Sequence, residues 1–269
     1  MSFTAYHRRV EITVRAADGT RLVARRTGRG APVVLVHGSA GGLDSWDPIT
    51  PLLDDEFEVW VYARRGYPPS DDCEQPKTYA DDVADLRAVL AAAGGSAHVA
   101  GASYGGTVAL RAAVAGAALR TLVVFEPPLF AAGPAVASAL AGFRELLAAG
   151  DVAGANRVFA AQVARVPAPI LAALPDAGGD PGEAVGSLHD LEAMAADTPD
   201  LSRWASIAIP ALIMQGSDTW APMPSTMDSL AAAMPAAARA ILPGQSHFAT
   251  HTAPGLFART IRDFLHERG

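Results

Sequence analysis

Residues Gly101-Ala102-Ser103-Tyr104-Gly105 stand between two apolar stretches, 98–100 and 107–110. This G-x-S-x-G pattern predicts a sharp turn from a strand into a helix, with Ser103 at its apex. Gly101 and Gly105 leave room for the strand and the helix to close together, and the turn exposes the serine hydroxyl. The stretch therefore predicts a serine nucleophile. An ordinary serine in a tight glycine turn is the alternative for this motif taken alone.

Further along the chain are the partners that a serine nucleophile needs, a base to take its proton and a carboxylate to orient that base. The apolar stretch 209–216 is followed by Asp218, and the stretch 240–242 is followed by His247. Loops at the carboxyl ends of parallel strands open on one edge of a sheet, where ligands bind. We therefore expect Ser103, Asp218 and His247 to converge there. His251 is a competing base, which we expect to be a surface histidine.

Two further motifs support the same interpretation. His37-Gly38-Ser39-Ala40-Gly41-Gly42 follows the apolar stretch 32–36, and Arg64-Arg65-Gly66-Tyr67-Pro68-Pro69-Ser70 follows the stretch 57–62. With the chain order serine, aspartate, histidine, they resemble the α/β-hydrolase family along essentially the whole chain. The resemblance implies an oxyanion hole formed by the backbone N–H groups of Ser39 and Tyr104.

A second carboxylate competes with Asp218 for the position beside the imidazole. Glu126, in Phe125-Glu126-Pro127-Pro128, also closes a strand on the expected edge. Most α/β-hydrolases take the acid from the position of Asp218, and some take it from the position of Glu126. The spacing after Gly216 is one residue shorter than the commonest family pattern. We take Asp218 as the expected acid and Glu126 as the alternative.

Alternating strands and helices predict an α/β fold with a mostly parallel central sheet, covered by helices on both faces. The alternation fails between residues 127 and 205, where only alanine- and leucine-rich helical segments are predicted. This interruption resembles the helical cap of α/β-hydrolases, with long crossover helices as the alternative. We expect a hydrolase core of residues 1–126 and 206–269 and a helical cap of residues 127–205.

Large apolar side chains near the predicted loops and cap edges are candidates for lining a substrate pocket. Packing in the core is the alternative for each of them. The candidates are Trp46, Phe130, Met194, Trp220 and Phe248.

Composition restricts the partners of this chain. Its 269 residues carry a net charge of −7 with scattered signs, which argues against nucleic acid as a partner. We expect no membrane-spanning segment, a cytoplasmic location, and a monomer or homodimer acting on a small molecule. Cys73 is the single cysteine, so a disulfide within the chain is impossible. We expect no metal and no cofactor.

The motifs lead to one expected activity and two alternatives. The expected activity is cleavage of a small to medium, largely apolar ester or lactone through an acyl-enzyme. The first alternative is a carbon-carbon bond hydrolase, or a cofactor-free lyase or cyclase, acting on a ketone or polyketide-like compound of secondary metabolism. It is favoured by the loop 38–42, which resembles those of carbon-carbon hydrolases. The second is a ligand receptor without turnover, against which the intact serine, histidine and carboxylate set argues.

Overall fold

The computed structural model describes residues 9–73, 75–173 and 179–268. The strands are β1 (Val10–Arg15), β2 (Arg21–Gly28), β3 (Ala31–Val36), β4 (Phe57–Tyr62), β5 (Ala97–Ala102), β6 (Leu119–Phe125), β7 (Ala211–Gly216) and β8 (Ala238–Leu242). The helices are α1 (Tyr79–Ala92), α2 (Tyr104–Val114), α3 (Ala137–Ala148), α4 (Val152–Val158), α5 (Ala168–Ala173), α6 (Pro181–Ala195), α7 (Met223–Ala233), α8 (Ala249–Thr252) and α9 (Pro254–Arg268). A π-helical turn, Phe159–Val163, follows α4, and the short 3-10 helices are Thr50–Leu52, Gly133–Val136 and Ser202–Ser206.

The strands form one sheet in the order β1-β2-β4-β3-β5-β6-β7-β8. β1 and β2 pair antiparallel, β2 pairs antiparallel with β4, and all other neighbours are parallel. The mostly parallel sheet predicted from the alternating pattern is confirmed. Its parallel part brings the carboxyl ends of β3, β5, β6, β7 and β8 to one edge.

Strand β3 explains why the sheet is covered on both faces. Its apolar residues alternate between two clusters: Val33 and Leu35 pack in the cluster that contains Phe257, and Val34 in the cluster that contains Leu86. Successive side chains of a strand point to opposite faces, so a run that is apolar throughout must be buried on both sides. Helix α9 covers one face, and α1 and α2 cover the other.

Between β6 and β7 the chain leaves the sheet and forms helices α3 to α6, which we call the insertion (residues 127–205). The sequence pattern predicts helical segments over residues 136–149, 152–163 and 187–195. α3 covers the first, and α4 with the π-helical turn covers the second. α6 begins at Pro181, earlier than the sequence pattern indicates, because the Asp180 side chain accepts hydrogen bonds from the backbone N–H groups of Gly182 (2.7 Å) and Glu183 (3.2 Å). Such an N-cap satisfies amides that the first helical turn leaves unpaired. No helix in the described ranges is both long and apolar enough to cross a membrane.

Candidate active site

Ser103 stands at the apex of the turn between β5 and α2, as the G-x-S-x-G motif predicts. Its backbone has φ +53° and ψ −127°, a conformation that costs free energy for a residue with a side chain. The neighbouring glycines make the turn possible. A Cβ atom at Gly101 would lie 2.3 Å from the backbone oxygen of Gly105, and one at Gly105 would lie 2.3 Å from that of Val36.

The loop after β3 lies directly against Ser103. A Cβ atom at Gly38 would lie 3.0 Å from Cβ of Ser103 and 3.6 Å from its Oγ. On the other side, Tyr104 is the first residue of α2, so its backbone N–H has no partner within the helix. The predicted oxyanion residues Ser39 and Tyr104 therefore flank the serine, one in the adjacent loop and one at the start of the helix.

His247 lies in the loop after β8, and its imidazole pairs with Glu126. Nδ1 of His247 is 2.6 Å from Oε2 of Glu126, whose side chain is completely buried. Glu126 also accepts hydrogen bonds from the backbone N–H of Gly216 (2.8 Å) and from Oγ1 of Thr219 (3.1 Å). The ring of Phe125 stacks on the imidazole at an interplanar angle of 19°. The carboxylate thus has a fixed position, and it orients the imidazole.

The expectation that Asp218 contacts His247 is wrong. Asp218 is exposed, and its carboxylate accepts a 2.6 Å hydrogen bond from the hydroxyl of Ser217. Its backbone N–H donates instead to the carbonyl oxygen of Gln245 (2.8 Å). Asp218 therefore holds the loop that carries His247 through its main chain, and within the described residues no hydrogen bond joins its side chain to the imidazole. The residue that sequence analysis gave as the alternative, Glu126, occupies the position beside the ring.

The other two histidines near the predicted site differ in burial. His251 is exposed on α8, as expected. His37 is fully buried: its Nδ1 is 2.7 Å from the carbonyl oxygen of Gly38, and its Nε2 accepts the backbone N–H of Arg64 at 3.1 Å. Burial and the neighbouring Arg64 charge lower the pKa of His37 to about 3. His37 is a neutral support of its loop.

Ser103, His247 and Ser39 line one cavity of about 330 Å³. Within the described residues, no hydrogen bond joins the Ser103 hydroxyl to His247. Such bonds are often long in free enzymes and shorten when substrate binds. The insertion supplies most of the remaining wall, with the side chains of Ala153, Asn156, Arg157, Phe159, Ala160, Ala164, Val166 and Leu171. Apart from Asn156 and Arg157, these residues of the insertion are apolar, so most of the wall suits a hydrophobic group.

The predicted pocket residues divide into two groups. Phe248 lines the cavity. Trp220 lies next to the cavity wall rather than in it: its ring centre is 5.7 Å from that of Phe248, and its indole N–H donates to the carbonyl oxygen of the wall residue Ala164 at 2.8 Å. The expectation is wrong for the other three. Trp46 and Met194 are buried in the core, and Phe130 packs against the core beneath Arg165. Large apolar side chains are buried wherever space exists, so their proximity to predicted loops did not indicate a role in the cavity.

A buried cluster of charges lies behind the loop after β3. Asp190 of α6, fully buried, accepts hydrogen bonds from both terminal nitrogens of Arg64 (2.8 and 2.7 Å) and from Nζ of Lys77 (2.6 Å). It also accepts from the hydroxyls of Tyr67 and Ser39, each at 2.7 Å. Burial alone would raise the pKa of Asp190, but the Arg64 and Lys77 charges outweigh it and hold that pKa below its usual range. The carboxylate is therefore ionised at neutral pH.

A second contact between core and insertion involves the single cysteine. Side-chain ligand atoms of Asp72, Cys73 and His189 lie within 4.8 Å of one another. Both ring nitrogens of His189 face carboxylates, Nε2 toward Asp72 (3.2 Å) and Nδ1 toward Glu192 (3.0 Å). Burial raises the pKa of Cys73 to about 12, so the thiol stays protonated. The contacts describe a histidine between two carboxylates, beside a protonated thiol.

Comparison with known proteins agrees with this architecture. Residues 33–260 match the model of the alpha/beta hydrolase family, and the chain belongs to that family. An alpha/beta hydrolase from Sphaerobacter thermophilus DSM 20745 is 33% identical, covers 94% of this chain and 100% of its own, and superposes with a TM-score of 0.84. None of the curated proteins matches this sequence.

Two more distant structures share the fold. The enol-lactonase from Burkholderia xenovorans LB400 is 24% identical over 94% of this chain and 99% of its own, with a TM-score of 0.75. A thermophilic esterase from Thermogutta terrifontis is 24% identical over 97% of this chain and 98% of its own, with a TM-score of 0.76. Together with the family match, these structures establish the α/β-hydrolase fold of this chain.

Proposed function

We propose that this hydrolase cleaves a small to medium, largely apolar ester or lactone through an acyl-enzyme. Ser103 is the proposed nucleophile and His247 its base. Glu126, rather than Asp218, is the proposed acid that fixes the tautomer of His247 and stabilises the imidazolium formed during the reaction. The backbone N–H groups of Ser39 and Tyr104 are the proposed donors to the tetrahedral oxyanion.

The observation that carries the proposal is the cavity shared by Ser103, Ser39 and His247, with the Glu126 carboxylate 2.6 Å behind the imidazole. In the proposed reaction Oγ of Ser103 attacks the acyl carbon while Nε2 of His247 takes its proton. The leaving alcohol receives that proton. Water, activated by the same nitrogen, then attacks the acyl-enzyme and releases the acid.

The substrate class is supported by the wall of the cavity and by its size. About 330 Å³ is at the lower end of the range for small-molecule sites, which favours a compact acyl group. The enol-lactonase and the esterase named above have the same fold, which is consistent with an ester or lactone substrate. We further propose that the insertion acts as a cap, because Phe159 and Leu171 line the same cavity as Ser103.

The test combines covalent labelling with a substrate series. A fluorophosphonate probe should label the wild type and fail to label Ser103→Ala, and p-nitrophenyl esters of graded chain length should be hydrolysed by the wild type and not by Ser103→Ala. Ser217→Ala, a serine on the same edge of the sheet but outside the cavity, is the matched control and should be labelled normally. Labelling of Ser103→Ala at the wild-type rate would reject Ser103 as the nucleophile.

The same series distinguishes the expected activity from the alternative chemistry. Labelling of Ser103 without hydrolysis of any ester in the series would favour carbon-carbon bond cleavage or a lyase reaction. For the cap, Leu171→Ala should change the ratio of rates between long and short acyl chains more than it changes the rate on the shortest ester. A uniform loss for all chain lengths would argue against the cap.

A further inference from the structure

We infer that Asp190, in the insertion, is a positioning residue for the oxyanion hole, acting through the hydroxyl of Ser39. The inference rests on the proposed function and adds to it a residue that lies outside the cavity. It makes the insertion part of the catalytic apparatus as well as a wall of the cavity.

The loop 37–40 is fixed from two sides by this one cluster. The hydroxyl of Ser39 donates to Oδ2 of Asp190 at 2.7 Å, and Asp190 in turn holds both terminal nitrogens of Arg64. Arg64 donates onward to the carbonyl oxygens of His37 and Gly38, each at 3.1 Å. The carboxylate of a residue in the insertion therefore fixes the loop directly at Ser39 and indirectly through its carbonyls.

A second hydrogen bond from the insertion acts on the same loop. The backbone N–H of Ala40 donates to Oγ of Ser187 at 3.0 Å. Ser187 and Asp190 are three residues apart on α6, so both groups lie on one face of the helix. The Ser39 N–H belongs to the peptide whose carbonyl oxygen, that of Gly38, accepts from Arg64 at 3.1 Å. This peptide, the Ser39 side chain and the following N–H of Ala40 are therefore all hydrogen-bonded within the cluster or to α6.

The same cluster also reaches the second proposed oxyanion donor. The guanidinium of Arg64 lies 4.4 Å from the ring centre of Tyr104, and the Tyr104 hydroxyl donates to Asp82 at 2.7 Å. Asp82 shares Nζ of Lys77 with Asp190, at 3.2 and 2.6 Å. The residues that carry both donors are thus tied into one buried network.

The charges of the cluster explain why it holds the loop rigidly. Two cations, Arg64 and Lys77, face two anions, Asp82 and Asp190, and all four side chains are buried. In a medium of low dielectric constant, hydrogen-bonded ion pairs are strong, and an uncompensated charge is costly. Neutralising Asp190 would leave two cations with one anion, and the loop would lose its anchor.

An oxyanion hole works because its donors are oriented before charge develops, so a small rotation of the Ser39 peptide should lower the rate of the chemical step. Binding of the uncharged substrate should hardly change. A positioning role therefore affects only the rate of the chemical step. A general structural role would weaken both the rate and the binding of substrate.

The test uses Ser39→Ala and Asp190→Asn, with Asp85→Asn as the matched control. Asp85 is also buried and is bonded to Arg65 at 2.7 and 2.6 Å, but among the described residues no hydrogen bond or ion pair joins it to the loop 37–40. The probe is a trifluoromethyl ketone analogue of the best ester. Ser103 Oγ adds to its carbonyl carbon, the proton passes to His247, and the resulting alkoxide occupies the oxyanion hole. The secondary alcohol of the same chain length, which forms no oxyanion, measures ground-state binding.

Ser39→Ala and Asp190→Asn should each lower kcat and weaken binding of the ketone by about tenfold, a fraction of the loss expected when a donor is removed outright. KM and binding of the alcohol should stay within about twofold, on the scale of interactions made only in the transition state. Asp85→Asn should leave the ratio of the two affinities at the wild-type value. Ser39→Thr, which retains a hydroxyl, should restore ketone binding. The double variant Ser39→Ala with Asp190→Asn should bind the ketone no more weakly than Asp190→Asn alone.

Hydrogen exchange of the peptide 37–43, compared between the wild type and Ser39→Ala, provides a readout that needs no turnover. Exchange in this loop should be faster in the variant. If the wild type is neither labelled nor active, the proposed function fails, and exchange alone then decides whether Asp190 anchors the loop. Ketone affinity unchanged in Ser39→Ala, or unchanged exchange in an inactive protein, overturns the inference. Should Asp190→Asn fail to fold, Ser39→Ala still decides, because it leaves the charges intact.

Discussion

The carboxyl ends of β6 and β7 both carry an acidic residue, yet the two residues have opposite environments. Glu126, directly after β6, is completely buried and accepts hydrogen bonds from three groups. Asp218, two residues after β7, is exposed and bonded to the hydroxyl of its neighbour Ser217. One additional residue after the strand is enough to move a carboxylate away from the sheet edge and into solvent.

The backbone explains the difference. Glu126 has φ +45°, and its N–H donates to the carbonyl oxygen of Met214 at 3.2 Å, so the residue stays beside β7 and its side chain turns toward Gly216. A buried carboxylate acts on a neighbouring imidazole with little screening, whereas an exposed one is screened by water. Burial, rather than the order of residues along the chain, determines which acid can orient His247.

The largest expected effect comes from Glu126→Gln. An amide cannot stabilise the imidazolium and favours the wrong tautomer of His247, so kcat should fall by about 100-fold or more while KM changes little. Single-turnover kinetics on the best ester provide the measurement, and the melting temperature of the variant checks that the fold is intact. A fall of less than about tenfold would contradict the assignment of the acid to Glu126.

The second prediction concerns the protonation of the buried His37. Its pKa is lowered from 6.5 to about 3, so between these values the unfolded chain binds a proton that the folded protein does not. The free energy of unfolding should therefore fall as the pH falls below about 6.5, with a contribution of up to about 1.4 kcal/mol per pH unit. Urea unfolding of the wild type and His37→Gln at pH 7, 6 and 5 measures this slope, and equal slopes would refute the assignment.

The third prediction concerns the hydrogen bonds that hold the Glu126 carboxylate after β6. Thr219→Val removes one of the hydrogen bonds to Oε2 of Glu126, whereas those from Gly216 and His247 remain. A single hydrogen bond contributes about 1 kcal/mol, which corresponds to roughly a fivefold loss of kcat. Thr226→Val is the matched control, because the Thr226 hydroxyl donates to the carbonyl oxygen of Pro222 (2.9 Å) and not to Glu126. Equal effects of the two variants would argue that Thr219 has no part in orienting the carboxylate.

The smallest effect is expected from Asp218→Asn. The amide oxygen can still accept the hydrogen bond from Ser217, and the backbone N–H of residue 218 still donates to Gln245. Substitutions of exposed residues usually change stability by less than about 0.5 kcal/mol, so kcat should stay within about twofold of the wild type. A larger loss of kcat than in Glu126→Gln would reverse the comparison.

The sequence predicts the fold and the Ser103 turn well because both depend on local rules. Gly101 and Gly105 are required by backbone atoms only 2.3 Å from the positions of their missing Cβ atoms, and this requirement is visible as a motif. The loop position of His247 follows from the alternation of strands and helices. These features need no knowledge of how distant segments pack.

The acid and the cavity wall depend on packing between segments far apart in the chain. Glu126 contacts Gly216 and His247, 90 and 121 residues away, and the sequence offers only the short spacing after Gly216 as a hint. Phe159 and Leu171 line the cavity because of how the insertion folds back over the sheet, which periodicity cannot indicate. The link between Ser39 and Asp190, 151 residues apart, was missed for the same reason.

The buried charge cluster also has a consequence for exchanging parts between related enzymes. Arg64, Lys77 and Asp82 belong to the core, whereas Asp190 belongs to the insertion, so neutrality is completed only across their boundary. A chimera that took its insertion from a relative with an apolar residue at this position would have an excess buried cation. A functional chimera should therefore require an insertion with an acidic residue at this position of α6. Otherwise the positive charge at Lys77 must be removed at the same time.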